Sequence, residues 1–140
     1  MIYSQVLVSL EVLNELRWPL RVAVSQSKGV IVLTLRGRVA QESAGQVSKA
    51  IGDTLSRGDR RLVVDFEGVD YISSGGLQAL ESAALGFQKA GGTLILSGID
   101  GPVRTTFQMA AVLDHFTVEA SRDDAIRRLT SQVRTTQDPL

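Results

Sequence analysis

The spacing of hydrophobic and polar positions changes period several times along this chain. In residues 1–19, Val6, Leu10, Leu13 and Leu16 recur at helical spacing and Pro19 closes the run. This predicts a short amphipathic helix, although Val6-Leu7-Val8 reads equally well as the start of a strand. From Leu20 the pattern becomes regular. Arg21-Val22-Ala23-Val24-Ser25 alternates, Ser27-Lys28-Gly29 makes a turn, and Val30-Ile31-Val32-Leu33-Thr34-Leu35 is an apolar, β-branched run ending at Gly37. Two strands joined as a hairpin are expected.

Helical and strand periods then take turns. Val47, Ile51 and Leu55 mark a helix over residues 42–55, stopped by Arg57-Gly58-Asp59. Residues 61–66 form a short, nearly continuous apolar run, as in a strand buried on both faces. Residues 75–89 predict a second helix with Leu77, Leu80, Ala84 and Phe87 inward, terminated by Gly91-Gly92. Thr93-Leu94-Ile95-Leu96-Ser97 is another buried strand. Pro102 suits the first turn of a third helix reaching Ala111, with Phe107 and Met109 directed into the core. Residues 116–118 form a last short strand. Ser121 caps a final helix, with Asp123 and Asp124 in its first turn.

Helices of this length between strands are the crossovers that parallel strands require. The expected fold is therefore α/β, a mixed but mostly parallel sheet of four to five strands with one antiparallel edge strand. The domain spans residues 20–134, preceded by the apolar extension 1–19 and followed by a frayed tail, 135–140. Two roles are open to the extension: a lid over the core, or a contact with a partner or a second copy (a homodimer). Trp18, beside Pro19, is expected to pack the extension onto the domain.

Composition narrows the function classes. Fifteen basic and fifteen acidic residues leave a formal net charge of +0. The arginines Arg104, Arg122, Arg127, Arg128 and Arg134 are interleaved with Asp114, Glu119, Asp123 and Asp124. They read as a solvated surface and not as a nucleic-acid stripe. With no cysteine, a disulfide framework, a thiol nucleophile and the usual structural zinc sites are excluded. The apolar N-terminus lacks a basic leader, contains Glu11 and is too short and interrupted to span a membrane. A cytoplasmic protein without a membrane or nucleic-acid partner is expected.

The stretch that carries chemistry is Asp65-Phe66-Glu67-Gly68-Val69-Asp70-Tyr71-Ile72-Ser73-Ser74-Gly75-Gly76-Leu77. It joins a buried strand to a helix through two hydroxyls and two glycines. In open α/β sheets, ligands and partners meet the carboxyl ends of the strands. A helix N-terminus offers unpaired N–H groups and partial positive charge, so a phosphate on Ser74 is well placed there. Gly75 and Gly76 leave the backbone open to close approach. Serine ahead of a helix is also an ordinary N-cap, and spacing alone leaves both readings open. Tyr71 is open to two places, lining a partner surface or packed inside.

These segments resemble the STAS domain of bacterial anti-sigma factor antagonists. The resemblance rests on the Val30-to-Gly37 strand, on Val63-Val64-Asp65-Phe66 with Val69 through Leu77, on Gly91-Gly92-Thr93-Leu94-Ile95-Leu96, and on Val103-Arg104-Thr105-Thr106-Phe107-Gln108-Met109. It covers residues 20 to 131 in the family's order. Partner switching is what it implies. Such a domain binds an anti-sigma factor that is also a serine kinase; phosphorylation breaks the complex, and a serine phosphatase restores it. Alignment on Gly76-Leu77 places the phosphoacceptor at Ser74, with Arg38, Tyr71, Ser73, Gly75, Gly76 and Gln78 alongside it as partner-binding residues. Two positions depart from the family pattern. Ser73 stands where an aspartate usually precedes the acceptor, and Gly37-Arg38-Val39-Ala40 stands for a Gly-Glu-Leu-Asp turn. These departures favour a second reading, an interaction or scaffold module that is not phosphorylated.

An enzyme is the least supported class. The sole histidine, His115, reads as a surface turn residue, and no glycine precedes Ser74 by two, as a nucleophile elbow requires. Neither Gly75-Gly76 nor Gly91-Gly92 extends to a phosphate-binding loop with its lysine. Acidic pairs such as Asp123-Asp124 lack further ligands at useful spacing. No cofactor, metal site or catalytic residue is expected.

Overall fold

The hairpin predicted at the start of the domain forms as β1 (Arg21–Ser27) and β2 (Val30–Val39). Lys28 and Gly29 join them with φ of 54° and 79°. Two successive left-handed residues make the tight turn whose twist matches that of paired strands. The remaining elements are α1 (Ala44–Ser56), β3 (Arg61–Ile72), α2 (Ser74–Lys89), β4 (Thr93–Ser97) and α3 (Gly101–Met109). A 3₁₀ turn (Leu113–His115), β5 (Thr117–Glu119) and α4 (Arg122–Gln137) complete the order. The computed structural model describes residues 20–137. The helix expected in the extension, and Trp18, lie outside the described residues.

Five strands form one sheet in the order β1-β2-β3-β4-β5. β1 is antiparallel to β2 at one edge, and the other three pairings are parallel. Side chains alternate between the two faces. Leu33, Leu35, Leu62, Val64, Phe66, Leu94 and Leu96 pack with Val47 and Ile51 of α1, Leu77, Leu80 and Phe87 of α2, and Val103 and Phe107 of α3. On the opposite face, Val30, Val32, Val63 and Ile95 meet Ala125, Ile126 and Leu129 of α4. Helices on both faces explain the unbroken apolar runs of the central strands.

Several helix ends follow their sequence signals. Ser121 Oγ accepts from Asp124 N–H at 3.1 Å, capping α4. α2 stops where Gly91 turns left-handed (φ +90°), with Gly92 N–H donating to Phe87 O at 3.0 Å. Other boundaries moved. α1 begins at Ala44 and not at residue 42, because the buried Ser43 holds a preceding turn. Its fully buried inner residue in the last turn is Thr54, whose hydroxyl donates to Ala50 O at 2.9 Å, while Leu55 packs at the core's edge. α4 continues through Gln137, past the boundary expected at Arg134.

Two larger corrections concern the core and the central strand. Phe107 is fully buried, edge-on to Phe66 at 6.0 Å and to Phe116 at 5.7 Å, but Met109 is 83% exposed. Residues two apart lie on nearly opposite sides of a helix, so only one of the pair can enter the core. The central strand does not end at Phe66. β3 continues to Ile72 through two irregularities in its pairing with β2, between Thr34 and Arg36 and between Gly37 and Arg38. At each, β3 carries one extra residue, which bends and twists the pair. β4 stops at Ser97, opposite Asp65. Beyond that row β2 and β3 run on past the end of β4, and past Arg36, where the pairing with β1 also ends, they form a two-stranded ribbon that overhangs the sheet.

Candidate functional site

The overhanging ribbon carries the residues that the sequence singled out. Arg38 pairs with Tyr71, and Val39 with Ile72, across its parallel strands. The Arg38 guanidinium lies over the Tyr71 ring at 4.6 Å from its centroid. A cation over an exposed aromatic face is worth about 0.5–1 kcal/mol. Tyr71 is 40% exposed, which settles its place on the surface side. Ile72 turns inward at 1% exposure and anchors the ribbon to the core.

Ser73 and Ser74 have different places. Ser73 is the N-cap of α2, with extended backbone and its Oγ accepting from Gly76 N–H at 2.9 Å. Its own N–H donates to Val39 O at 2.9 Å, joining the helix head to the ribbon's end, and its carbonyl takes Leu77 N–H at 2.8 Å. Ser74 is the first residue of the helix, exposed, with no side-chain partner among the described residues. A helix leaves its first four N–H groups without intrahelical partners. Of these, Ser73 N–H goes to Val39 O and Gly76 N–H to Ser73 Oγ, while those of Ser74 and Gly75 have no partner among the described residues. Gln78, one turn on, is exposed on the same helix.

The glycines differ as well. Gly76 is buried, and a Cβ there would sit 2.6 Å from Val39 O and 2.9 Å from Val39 Cγ1. The close approach that Gly76 permits is therefore to β2 of its own domain, not to an outside molecule. Gly75 is half-buried, with the Gln41 side chain 3.4 Å from where a Cβ would stand.

Three supporting residues escaped the sequence reading. Ser43 Oγ accepts from Ala40 N–H at 2.9 Å and lies 3.1 Å and 3.2 Å from the carbonyl oxygens of Arg38 and Ala40. It closes the turn that carries Ala40. Asp65, 3% exposed, accepts through Oδ1 from Ser97 Oγ at 3.1 Å and from Glu67 N–H at 3.3 Å. It ties the first bulge to the end of β4, at the root of the ribbon. Its sequence signal was a lone acid within the apolar run 61–66. Ser97, fully buried, carries no such signal, because a serine closing a strand reads as a turn residue.

His115 stands apart from Ser74. Its Nδ1 is 2.6 Å from Glu81 Oε2, on the surface of α2. Glu81 is seven residues along the helix, about 10 Å from Ser74 by helical rise. The serine hydroxyl and the imidazole are thus not brought together as nucleophile and base. Among the described residues, no group of three or more acidic or histidine side chains is placed to hold a metal ion. None of the described helices is long and apolar enough to cross a membrane.

An open five-stranded α/β sheet with helices on both faces and one antiparallel edge strand is a fold of the STAS type. The chain belongs to the STAS domain family, whose model matches residues 21–125. A relative is BtrV of Bordetella bronchiseptica, a proposed anti-sigma factor antagonist, 29% identical over 106 residues that cover 76% of this chain and 91% of that protein. Among solved structures, an anti-sigma factor antagonist from Mycobacterium paratuberculosis superposes with a TM-score of 0.70 at 22% identity, covering 78% of this chain and 92% of that one. The Bacillus cell fate determinant SpoIIAA in its phosphorylated form matches with a TM-score of 0.60 at 18% identity, over 78% of this chain and 99% of that one. At these identities the structural matches establish the fold.

Proposed function

We propose that this protein is an anti-sigma factor antagonist that binds an anti-sigma factor with serine kinase activity and is released by phosphorylation at Ser74. The observation that carries the reading is the contrast between the two serines. Ser73 is occupied as the cap, whereas Ser74 is exposed at the first helical position, without a side-chain partner among the described residues. The name of the BtrV relative points to the same class of partner.

The interface in this reading is the ribbon end and the helix head: Arg38, Tyr71, Ser73, Ser74, Gly75 and Gln78. Gly76 serves from beneath by letting α2 close on Val39. Phosphorylation places about −1.5 to −2 charges within this surface, and desolvating them against a closely fitted partner expels it. A serine phosphatase then restores the binding form. The missing acid at position 73 does not remove the geometry, because serine and aspartate are both good N-caps.

A second reading keeps the interaction and drops the switch, and Ala40 and Ser73 favour it by removing two charges from the acceptor's surroundings. Incubation with the cognate kinase and labelled ATP separates the two. The first predicts label on the wild type, its loss in Ser74→Ala, and weakened binding in Ser74→Glu. Binding without any label supports the scaffold reading; undiminished label in Ser74→Ala overturns Ser74 as the acceptor.

A further inference from the structure

The N-terminal ends of the parallel strands gather cations. β2, β3 and β4 start in one row, with Leu62 opposite Ile31 and Arg61 opposite Thr93. α1 and α2 end at the same pole, since α1 leads into β3 and α2 into β4. Residues 27–30, 56–62 and 88–93 meet there and hold Lys28, Arg57, Arg60, Arg61 and Lys89 against a single acid, Asp59. Arg61 is half-buried and the other four cations are exposed. The ion pairs among the described residues are Lys49–Asp53, His115–Glu81, Arg127–Asp124 and Arg128–Glu119, so none of the five is neutralised by a salt bridge there.

Helix ends account for part of this charge. Arg60 Nη1 donates to Leu55 O at 3.1 Å and to Asp59 O at 3.0 Å, and its Nε to Ala90 O at 3.2 Å, bridging the ends of both helices. Arg57 caps α1 and Lys89 lies in the last turn of α2, where the helix dipole favours a cation. Lys28 and Arg61 have no such task. Lys28 stands in the hairpin turn at φ 54°, a left-handed position that asparagine or glycine holds at lower cost. The Arg61 guanidinium lies against the same turn, since a Cβ on Gly29 would stand 2.8 Å from its Nη2. Two cations thus meet at one turn, neither with a side-chain partner among the described residues. An anion bound there would relieve their repulsion.

We infer that this pole is a second interaction surface, which takes a carboxylate-rich segment of a partner protein across Lys28, Arg57, Arg61 and Lys89. The guanidinium forks of Arg57 and Arg61 match carboxylates in bidentate pairs. A nucleic acid fits less well. The formal net charge is +0, and the exposed aromatic among the described residues is Tyr71, near the other end of β3, so no exposed ring stands at this pole for a base to stack on. Arg61 opens β3 and Ser74 follows its end, which puts the two surfaces on the order of 30 Å apart. This inference is independent of any role for Ser74.

Titration of the isotope-labelled full chain with a hexaglutamate peptide, followed by amide NMR shifts, locates the site. Shifts are expected at residues 28–29, 57–61 and 89–93, and are expected to vanish in about 0.5 M salt. Lys28→Asn removes one charge and leaves a residue suited to the turn. It should weaken the peptide about threefold without lowering the urea midpoint of unfolding. The triple variant Lys28→Asn/Arg57→Gln/Lys89→Gln should weaken it by about tenfold or more. Arg122, exposed at the head of α4, is the control, and Arg122→Gln should leave binding unchanged. Shifts centred outside these segments, no shifts at all, or an equal loss in Arg122→Gln would overturn the inference. Tighter binding of a thymidine oligonucleotide of equal charge at the same residues would assign the pole to nucleic acid and overturn it as well.

Discussion

Ser73 and Ser74 are neighbours of identical chemistry whose mutations are expected to act on different properties. Ser73 supplies a cap bond to Gly76 N–H, so Ser73→Ala should cost about 1 kcal/mol of folding stability. Ser73→Asp should retain the cap, and its charge at the helix head should add about 0.3–1 kcal/mol in low salt. Ser74→Ala breaks no side-chain bond and should lie within about 0.5 kcal/mol of wild type. Urea titration of the three variants checks this order. A large loss in Ser74→Ala would show that its hydroxyl has a structural partner after all. Sequence alone could not divide the roles, since either serine is an acceptable cap for a helix whose start is known only to within a residue or two. The division comes from the extended backbone at Ser73 and from the short reach of one hydroxyl.

At the scale of the element, the helices were legible and the end of the central strand was not. Helical period survives in α1 and α2 because a single face is buried, and the inward residues Val47, Ile51, Leu77, Leu80 and Phe87 keep their spacing. Period-2 alternation does not survive two bulges. Glu67, Gly68 and Asp70 look like a loop, yet Val69 and Ile72 are buried between and beyond them. The β2–β3 ribbon could be found only from the pairing. The helices also hold positions that internal packing does not explain. Gly52 and Gly86 lie inside α1 and α2, and a Cβ at either would meet nothing within 4 Å. Gly52→Ala and Gly86→Ala should each raise stability by about 0.5–1 kcal/mol, by helix propensity and by restricting the unfolded chain. Thermal melts of the two single variants test this. Destabilisation in either would mean that α1 and α2 approach each other at these positions more closely in solution than the open space around Gly52 and Gly86 implies.

At the scale of the molecule, the two faces of the sheet divide the work. One face collects α1, α2 and α3 over the larger core; the other is sealed by α4. Arg38 and Tyr71 belong to neither core, so binding and stability should be separable at these positions. Arg38→Ala and Tyr71→Ala remove an exposed stacked pair, and tyrosine and arginine are common energetic anchors of interfaces. Each should weaken binding of the proposed anti-sigma partner by about tenfold or more. Each should shift unfolding stability by no more than about 1 kcal/mol. Calorimetric titration against denaturation decides it, and full affinity in both variants would move the interface elsewhere. The formal net charge of +0 leaves recognition to such local contacts and not to a broad field.

The overhang has a consequence for the order in which the molecule comes apart. Residues 62–65 are paired on both sides, by β2 and by β4, whereas residues 68–72 are paired by β2 alone. Amides of the outer ribbon should therefore exchange with deuterium through local opening, sooner than those of the inner strand, which need global unfolding. Equal protection along all of β3 would contradict this. The surface proposed for a partner would then lie on the part of β3 that opens first, held to the core by Val69 and Ile72. A partner bound there is expected to slow exchange of residues 68–72 while leaving that of residues 62–65 little changed.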